Sequence, residues 1–359
     1  MYIFFHNIAK QNQIEKNTIH SFFLFLESAR KKQKVRGSSS AFLFRDMNAD
    51  FPVSEYGAKQ VVKRVIANAF GIRQELTHNP CAAPTSLLRT HLPLIQHGYV
   101  VTEKSDGVRY LLVFARVKKT LFACLVDRAM AMFQVQTRAP THLFEGSVFD
   151  CELVQSRAPS PSQPQSQPQS QLPSISKLLV FDCLQLRGTS LRKRTFTNRY
   201  AKLQQYIGVD KITCTDLEVV AKSFLPLSDV AQIKVKELGH ASDGFILQPV
   251  DGRVVWGRDK RCFKWKYNPS IDVVLDGPRV QCLEGSLPKD MDWVVDGSVE
   301  PGLWECDASV SERGGRTCVT LKPLRQRADK LEPNSRETIV GVVREIKDAV
   351  QLWELAPAM

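Results

Sequence analysis

The sequence predicts an α+β protein of two domains, the first rich in strands and the second a small barrel or sandwich. Three observations predict it. The 359 residues make about two domains at roughly 150 residues each, enough to bury a core in both. Short apolar runs bounded by turn residues outnumber helical periodicities up to Pro269. Beyond Pro269, short strand-like runs recur between Gly, Pro and Asp, at 271–275, 293–299, 304–310 and 317–323.

Hydrophobic residues at 43% and charged residues at 24% exclude a wholly disordered or collagenous chain. No apolar run reaches the ~18 residues needed to span a bilayer, so no membrane partner is expected. Lys and Arg outnumber Asp and Glu by 49 to 37, a formal net charge of +12. That balance favours polyanionic partners such as nucleic acid or nucleotide phosphates. Nine widely spaced cysteines without a C-x-x-C argue against a disulfide framework or zinc ribbon and for a reducing compartment.

Residues 1–50 read as a basic, poorly ordered extension. Its run Arg30-Lys31-Lys32-Gln33-Lys34-Val35-Arg36 suits a nuclear import signal, a phosphate-binding arm or a solvated helix end. No continuous apolar core marks a secretory signal there. Across 51–70 a helix is predicted, because Ala58, Val61, Val62, Val65, Ile66 and Phe70 recur at three- and four-residue steps; Ser54 is placed to cap it. Strands follow at 110–114 and 121–126, joined by a Lys118-Lys119 turn, and at 147–154 and 178–183. Between the last two, residues 160–171 are almost entirely Ser, Pro and Gln. Such a tract buries no core, so 155–176 reads as a disordered insertion in a hairpin within one domain, 51–269. Helices are predicted at 198–207 and 227–238, then strands at 244–249 and 262–266. The second domain covers 270–334. A C-terminal helix spans 335–353, with Asn334 and Glu337 as a capping box and Ile339, Val343, Ile346 and Val350 as its apolar stripe. Trp293, Trp304 and Trp353 read as core or interface anchors.

The sharpest chemical signal is Glu103-Lys104-Ser105-Asp106-Gly107-Val108-Arg109, between two apolar strands. A lysine beside a glycine turn is displayed as a nucleophile or phosphate ligand. It attacks phosphorus only as the neutral amine, and Arg109 is placed to supply the cation that favours this form. Phe149-Asp150-Cys151-Glu152 sets an acid inside an apolar strand, where it needs a sugar hydroxyl, a metal or an arginine. Phe181-Asp182-Cys183 ends the next strand, and Ser242-Asp243-Gly244 begins another. Lys264-Trp265-Lys266 sends both ammonium groups to one strand face. Arg325-Gln326-Arg327-Ala328-Asp329-Lys330 closes the second domain. The seven histidines show no metal-ligand spacing and read as structural.

Taken in order, these motifs resemble the covalent nucleotidyltransferase superfamily of capping enzymes, DNA ligases and RNA ligases. Within it the chain resembles the GTP:RNA guanylyltransferases that cap mRNA. The resemblance rests on K-x-D-G-x-R at Lys104–Arg109, the Asp127-Arg128 pair, Gly257-Arg258-Asp259-Lys260 before Lys264-Trp265-Lys266, and Arg327–Lys330 followed by Pro333-Asn334. Departures are Cys151 within the usual D-G-E, Phe263 in place of Leu, the short link from Lys266 to Asp272, and the Ser/Pro/Gln insertion. The resemblance implies a nucleotidyltransferase domain of twisted antiparallel sheets followed by an OB-fold barrel.

It also implies roles. Lys104 takes GMP as a phosphoramidate. Arg109 and Arg128 bind ribose and phosphate oxygens, and Glu152 accepts from a ribose hydroxyl or assists a metal. Phe181 either stacks on guanine or belongs to the core. Lys222 contacts the guanine O6. Asp243 orients metal or phosphate groups, and Lys264 and Lys266 hold the α-phosphate. Arg327, Asp329 and Lys330 close over the β,γ-phosphates. The metal is Mg²⁺ or Mn²⁺. The substrates are GTP and a 5′-diphosphate RNA end, the setting is the nucleus, and the transcribing RNA polymerase is a partner. No H-C-x-x-x-x-x-R loop occurs, so a separate RNA triphosphatase is expected. The alternatives are an ATP-dependent polynucleotide ligase using the same lysine and a non-catalytic RNA-binding relative.

Overall fold

The computed structural model describes residues 56–157, 174–207, 211–215, 217–233, 238–277, 279–328, 330 and 332–356. The basic extension, Ser54, the 160–171 tract and Asp329 lie outside the described residues. The described residues divide into two units, one holding 56–267 together with 350–356, the other holding 268–349.

The first unit opens with α1 (Tyr56–Phe70), followed by β1 (Ala83–Ser86), β2 (Tyr99–Ser105), β3 (Val108–Val117), β4 (Thr120–Val126), β5 (Met132–Gln134) and β6 (Thr137–Arg138). Next come β7 (Ser147–Arg157), β8 (Ser174–Leu186), β9 (Thr189–Ser190), α2 (Phe196–Gln204), β10 (Thr213–Cys214) and β11 (Glu218–Ala221). It closes with β12 (Leu225–Pro226), β13 (Ser242–Pro249) and β14 (Arg258–Lys266). Two sheets dominate. One runs β1-β14-β13-β2-β12, the other β11-β8-β7-β3-β4-β5, with β9 beside β8. Most pairings are antiparallel, as short connections allow; β1 with β14 and β11 with β8 are parallel.

The centre of β3, Tyr110 to Ala115, is buried on both faces, which is why its sequence is an unbroken apolar run. One face meets α1 through Val62, Ile66 and Phe70. The strands flanking the Ser/Pro/Gln tract pair antiparallel up to Arg157 opposite Ser174, so the tract interrupts a single hairpin. The helix expected over 227–238 is instead a 3₁₀ segment, Leu227–Gln232. Its buried residues, Leu227 and Val230, stand three apart, the period of the tighter helix.

The second unit contains β15 (Ser270–Asp276), β16 (Arg279–Gln281), β17 (Met291–Val295), β18 (Gly302–Arg313), β19 (Arg316–Gln326) and α3 (Arg336–Asp348). Its order is β16-β15-β18-β19-β17, with β17 and β19 parallel. This is the partly open five-stranded arrangement of an OB-fold. Ile271, Val273, Cys306, Val319 and Leu321 form its core, against Ile339, Val342 and Val343 of α3. The cap of α3 is Ser335, whose hydroxyl accepts from the Thr338 N–H, and not Asn334. Asn334 Oδ1 accepts the Asp272 N–H at 2.9 Å and is committed elsewhere. The helix also ends earlier than expected, where Ala349 turns left-handed at φ 46°. The chain then rejoins the first unit: Val350 and Leu355 are buried among Leu87, Phe245 and Phe263. Trp353, read as an anchor, is exposed.

Two glycines set the spacing of the strands. A Cβ on Gly107 would stand 2.4 Å from the Leu153 carbonyl oxygen, and one on Gly244 would stand 2.0 Å from that of Trp265. Neither neighbour is a flexible side-chain end. Gly107→Ala and Gly244→Ala should therefore each cost on the order of 1–3 kcal/mol in urea unfolding. Gly57→Ala, in open space on α1, should stabilise by up to about 1 kcal/mol.

Candidate active site

Lys104 is the penultimate residue of β2, and strand pairing places Gly244 directly opposite it on β13. Gly244 in turn faces Lys266 on β14. The residue before it, Asp243, joins the two lysines. Its Oδ1 accepts Lys104 Nζ at 2.8 Å, and its Oδ2 lies 2.9 Å from Lys266 Nζ. Burial favours the neutral acid here, yet Lys104 and Lys266 hold the carboxyl below the usual range. Lys264 is opposite Ile246 on β13, and Ile246 lines the pocket described next. Period two then puts Lys264 and Lys266 on one face.

Beside Lys104 lies a pocket walled by both large sheets. Thr102, Lys104 and Ser105 come from β2, Arg109 from β3, Glu152 from β7 and Phe181 from β8. Arg128 and Lys222 also line it, while Asp243 and Lys266 do not and are joined to it through Lys104. The cation expected beside Lys104 is not Arg109. That guanidinium is bound to Asp150 through Nε–Oδ1 at 2.9 Å and Nη2–Oδ2 at 2.5 Å, and donates to the Ala82 carbonyl at 2.8 Å. Asp150 and Glu152 share a strand face two residues apart, and Glu152 pairs in register with Arg109. Because Asp150 takes the arginine, Glu152 faces the pocket. Burial pushes its carboxyl up, against the pull of Lys222, Lys104 and Arg109.

Phe181 is half-buried and lines the pocket, so the plain-core alternative does not describe it. The Arg109 guanidinium sits 5.5 Å from its ring centroid and the Lys222 ammonium 6.0 Å. Lys222 continues from β11, its N–H bonded to the Val180 carbonyl, and reaches across to β2. Its Nζ donates to Ser105 Oγ at 2.7 Å and lies 3.4 Å from Glu103 Oε1. Glu103 also accepts the Thr102 hydroxyl at 2.9 Å and the Ser105 hydroxyl at 3.1 Å, and faces His240 Nε2 at 3.4 Å. Burial opposes its ionisation, but His240, Lys222 and Thr102 bring the carboxyl down to about 2.

Sequence reasoning missed Asp150, Glu103 and His240. Alternation along β7 points to Asp150, and the position before the lysine points to Glu103. Nothing local marks His240, which is not merely structural filler but packs against that buried carboxylate. The pocket thiol of Cys81 is pushed well up by burial and by Asp150, which leaves it a poor nucleophile. In the second unit, Arg327 Nη1 donates to Asp272 Oδ1 at 2.8 Å, and Lys330 binds the other oxygen.

Comparison with known proteins gives a family. The model described as "mRNA capping enzyme, catalytic domain" matches residues 52–268. An mRNA-capping enzyme of Caenorhabditis elegans is 25% identical over 76% of this chain and 47% of its own length. The mRNA-capping enzyme subunit alpha of Saccharomyces cerevisiae is 27% identical over 73% of this chain and 61% of its own. The Schizosaccharomyces pombe subunit alpha is 25% identical over 84% of each. The chain thus spans about half the length of the nematode relative.

Glu103 gives a pH signature. Its folded pKa of about 2 lies below the usual 4.5, so its contribution is complete above pH 4.5 and is lost as pH falls toward 2. That difference corresponds to about 3 kcal/mol. In urea unfolding, the stability gap between the unsubstituted protein and Glu103→Gln should narrow steadily from pH 5 downward and stay constant from pH 5 to 7.

Proposed function

The chain belongs to the family of mRNA-capping catalytic domains, and from that membership we propose that it is an mRNA guanylyltransferase. One observation carries the proposal. Lys104 lines a pocket holding a half-buried aromatic ring, a carboxylate and an ammonium donor, with a second lysine held beside it by Asp243.

GTP enters with its base against Phe181 and its 6-oxo group toward Lys222. Arg109, already locked by Asp150, offers a rigid fork to ribose and phosphate oxygens, and Arg128 offers another. Glu152 accepts from a ribose hydroxyl. Lys104 is held here by a carboxylate, so the entering phosphate must exchange it from Asp243 before the amine can lose its proton. The amine nitrogen then forms a bond to the α-phosphorus while the bond to the bridging oxygen breaks, releasing pyrophosphate. Lys264 and Lys266 hold the α-phosphate as charge shifts to the leaving group. In the second step, a terminal oxygen of 5′-diphosphate RNA attacks the same phosphorus, the N–P bond breaks, and Lys104 regains its proton. The product is a Gppp cap.

The site's donors are hard carboxylate oxygens, Glu152 and Asp243, and among the described residues no three acidic, His or Cys side chains converge as a metal cage. This fits Mg²⁺ or Mn²⁺ carried mainly by the substrate's phosphates, where the ion neutralises phosphate charge. Arg327, Asp329 and Lys330 are assigned to the β,γ-phosphates. A separate RNA triphosphatase, the transcribing polymerase and a nuclear setting complete the proposal. Among the described residues no helix is long and apolar enough to cross a membrane.

With labelled GTP and a divalent metal, a denaturing gel should show an acid-labile, alkali-stable adduct. ATP should give none; an adduct with ATP alone would identify a ligase. Lys104→Ala and Lys104→Arg should both abolish it, since a guanidinium keeps its proton and offers no lone pair.

Arg327→Ala and Lys330→Ala should slow adduct formation from GTP at least tenfold, yet affect single-turnover transfer from isolated enzyme–GMP less. That step has no pyrophosphate to hold. Equal losses in both steps would remove these residues from the β,γ-phosphates.

A further inference from the structure

Glu103 is a buried carboxylate next to the nucleophile, yet it does not touch it. Lys104 goes to Asp243, while Glu103 faces Thr102, Ser105, Lys222 and His240. Three of these four line the nucleotide pocket: Thr102, Ser105 and Lys222. An ionised carboxylate only accepts hydrogen bonds. Each hydroxyl that bonds to it must therefore donate its single hydrogen there, which leaves the oxygen lone pairs for other partners. Ser105 Oγ spends one on Lys222 Nζ. Thr102 lines the pocket, and with its hydrogen given to Glu103 its Oγ1 keeps its lone pairs for a ligand. Lys222, by contrast, is a donor only.

We propose that Glu103 sets the hydrogen-bond polarity of the base-recognition wall, fixing Thr102 as an acceptor and Lys222 as a charged donor. The edge that complements this wall presents an acceptor at purine position 6 and N–H donors beside it. A 6-oxo-2-aminopurine has that pattern. A 6-aminopurine reverses it, setting its amino group against the Lys222 ammonium and its ring nitrogen against the threonine lone pair. Glu103 is thus a positioning residue that determines specificity through the groups it orients. His240 supplies its fourth contact from the segment before β13. This inference rests on the assignment of the pocket to a guanine nucleotide.

The test compares Glu103→Gln, Thr102→Val and Lys222→Ala. Two readouts are taken: the kcat and KM of adduct formation with GTP and ATP, and the equilibrium Kd values for GDP and ADP, which need no chemistry. Glu103→Gln introduces donor hydrogens where the carboxylate had none. It should lower the GDP-over-ADP preference about tenfold to a hundredfold, the worth of one or two charge-assisted bonds. In the reaction, the loss should fall chiefly on the KM for GTP. Thr102→Val removes the acceptor while leaving every charge in place, so it should reduce the same ratio even if Glu103→Gln folds poorly. If both variants weaken GDP and ADP equally, or only lower the melting temperature, Glu103 merely supports the strand and the inference is overturned. If Lys222→Ala leaves the ratio untouched, the assignment of the pocket to guanine fails instead. A drop with Lys222→Ala but not with Glu103→Gln or Thr102→Val overturns the inference alone.

Discussion

Two ammonium groups stand side by side at the end of β2 because a carboxylate stands between them, and much of the site depends on that contact. Asp243 can bridge Lys104 and Lys266 only if β2, β13 and β14 align to bring their ends together. The register achieves this through Gly244, which faces both lysines and has no side chain to hold the strands apart. The bridge also defines what the entering ligand must do. A phosphate offers the lysines the same kind of oxygens as Asp243, so substitution of one for the other needs no new cation and leaves little charge uncompensated. Under the proposed function, Lys104 is stored as an ion pair and released by the group it is to attack.

The same rule governs three of the pocket's other cations. Arg109 has Asp150, Lys222 has Glu103, and the fully buried Arg199 has Asp182 with both bonds at 2.8 Å. Each pair comes from different strands or from a strand and a helix, so each ties the wall together as well as neutralising it. Buried charges left single would cost several kcal/mol. Paired, they hold their forks and hydrogens in set directions before a ligand arrives, which is the preorganisation that phosphoryl transfer exploits. Arg128 departs from the rule, its ionisation opposed by burial and by Arg109, and Glu152 is a pocket carboxylate whose register partner Arg109 is already occupied.

The fold class and both strand-rich units were legible because they depend on local chemistry. Alternation, apolar runs and turn residues located β3, β7, β13, β14 and four strands of the second unit to within a few residues, but not the three-residue β16. The motif lysines were legible because their spacing survives folding. What the sequence could not express is partnership across space. Asp243 lies 139 positions from Lys104, and Asp272 lies 55 from Arg327, so neither pairing has a local signature. Arg109 shows the error this produces: near Lys104 in sequence, it is drawn to Asp150 by the β3–β7 register. Asn334 shows it again, since a good capping residue was already engaged with Asp272, and its neighbour Ser335 caps instead.

The Lys-Trp-Lys strand shows how far such distant dependence extends. Its lysines share one face, on which Lys266 meets Asp243, whereas the Trp265 indole donates to the Val350 carbonyl at 2.7 Å, a contact 85 residues away in sequence. Phe263, the departure from the expected leucine, is fully buried and stacks on His91 at 4.5 Å. Leu355 and Val350 complete the same cluster, and Glu354 pairs with Arg89 beside it. The strand that carries two of the site's lysines is therefore packed on its opposite face by the chain's return from the second unit. Its alternation has two meanings at once: even positions carry the lysines that the proposed function gives to the α-phosphate, and odd positions pack against the tail. That division explains why a tryptophan belongs between two lysines. It contributes no charge to the pocket, but its indole N–H anchors the strand from behind and so keeps Lys264 and Lys266 aimed forward.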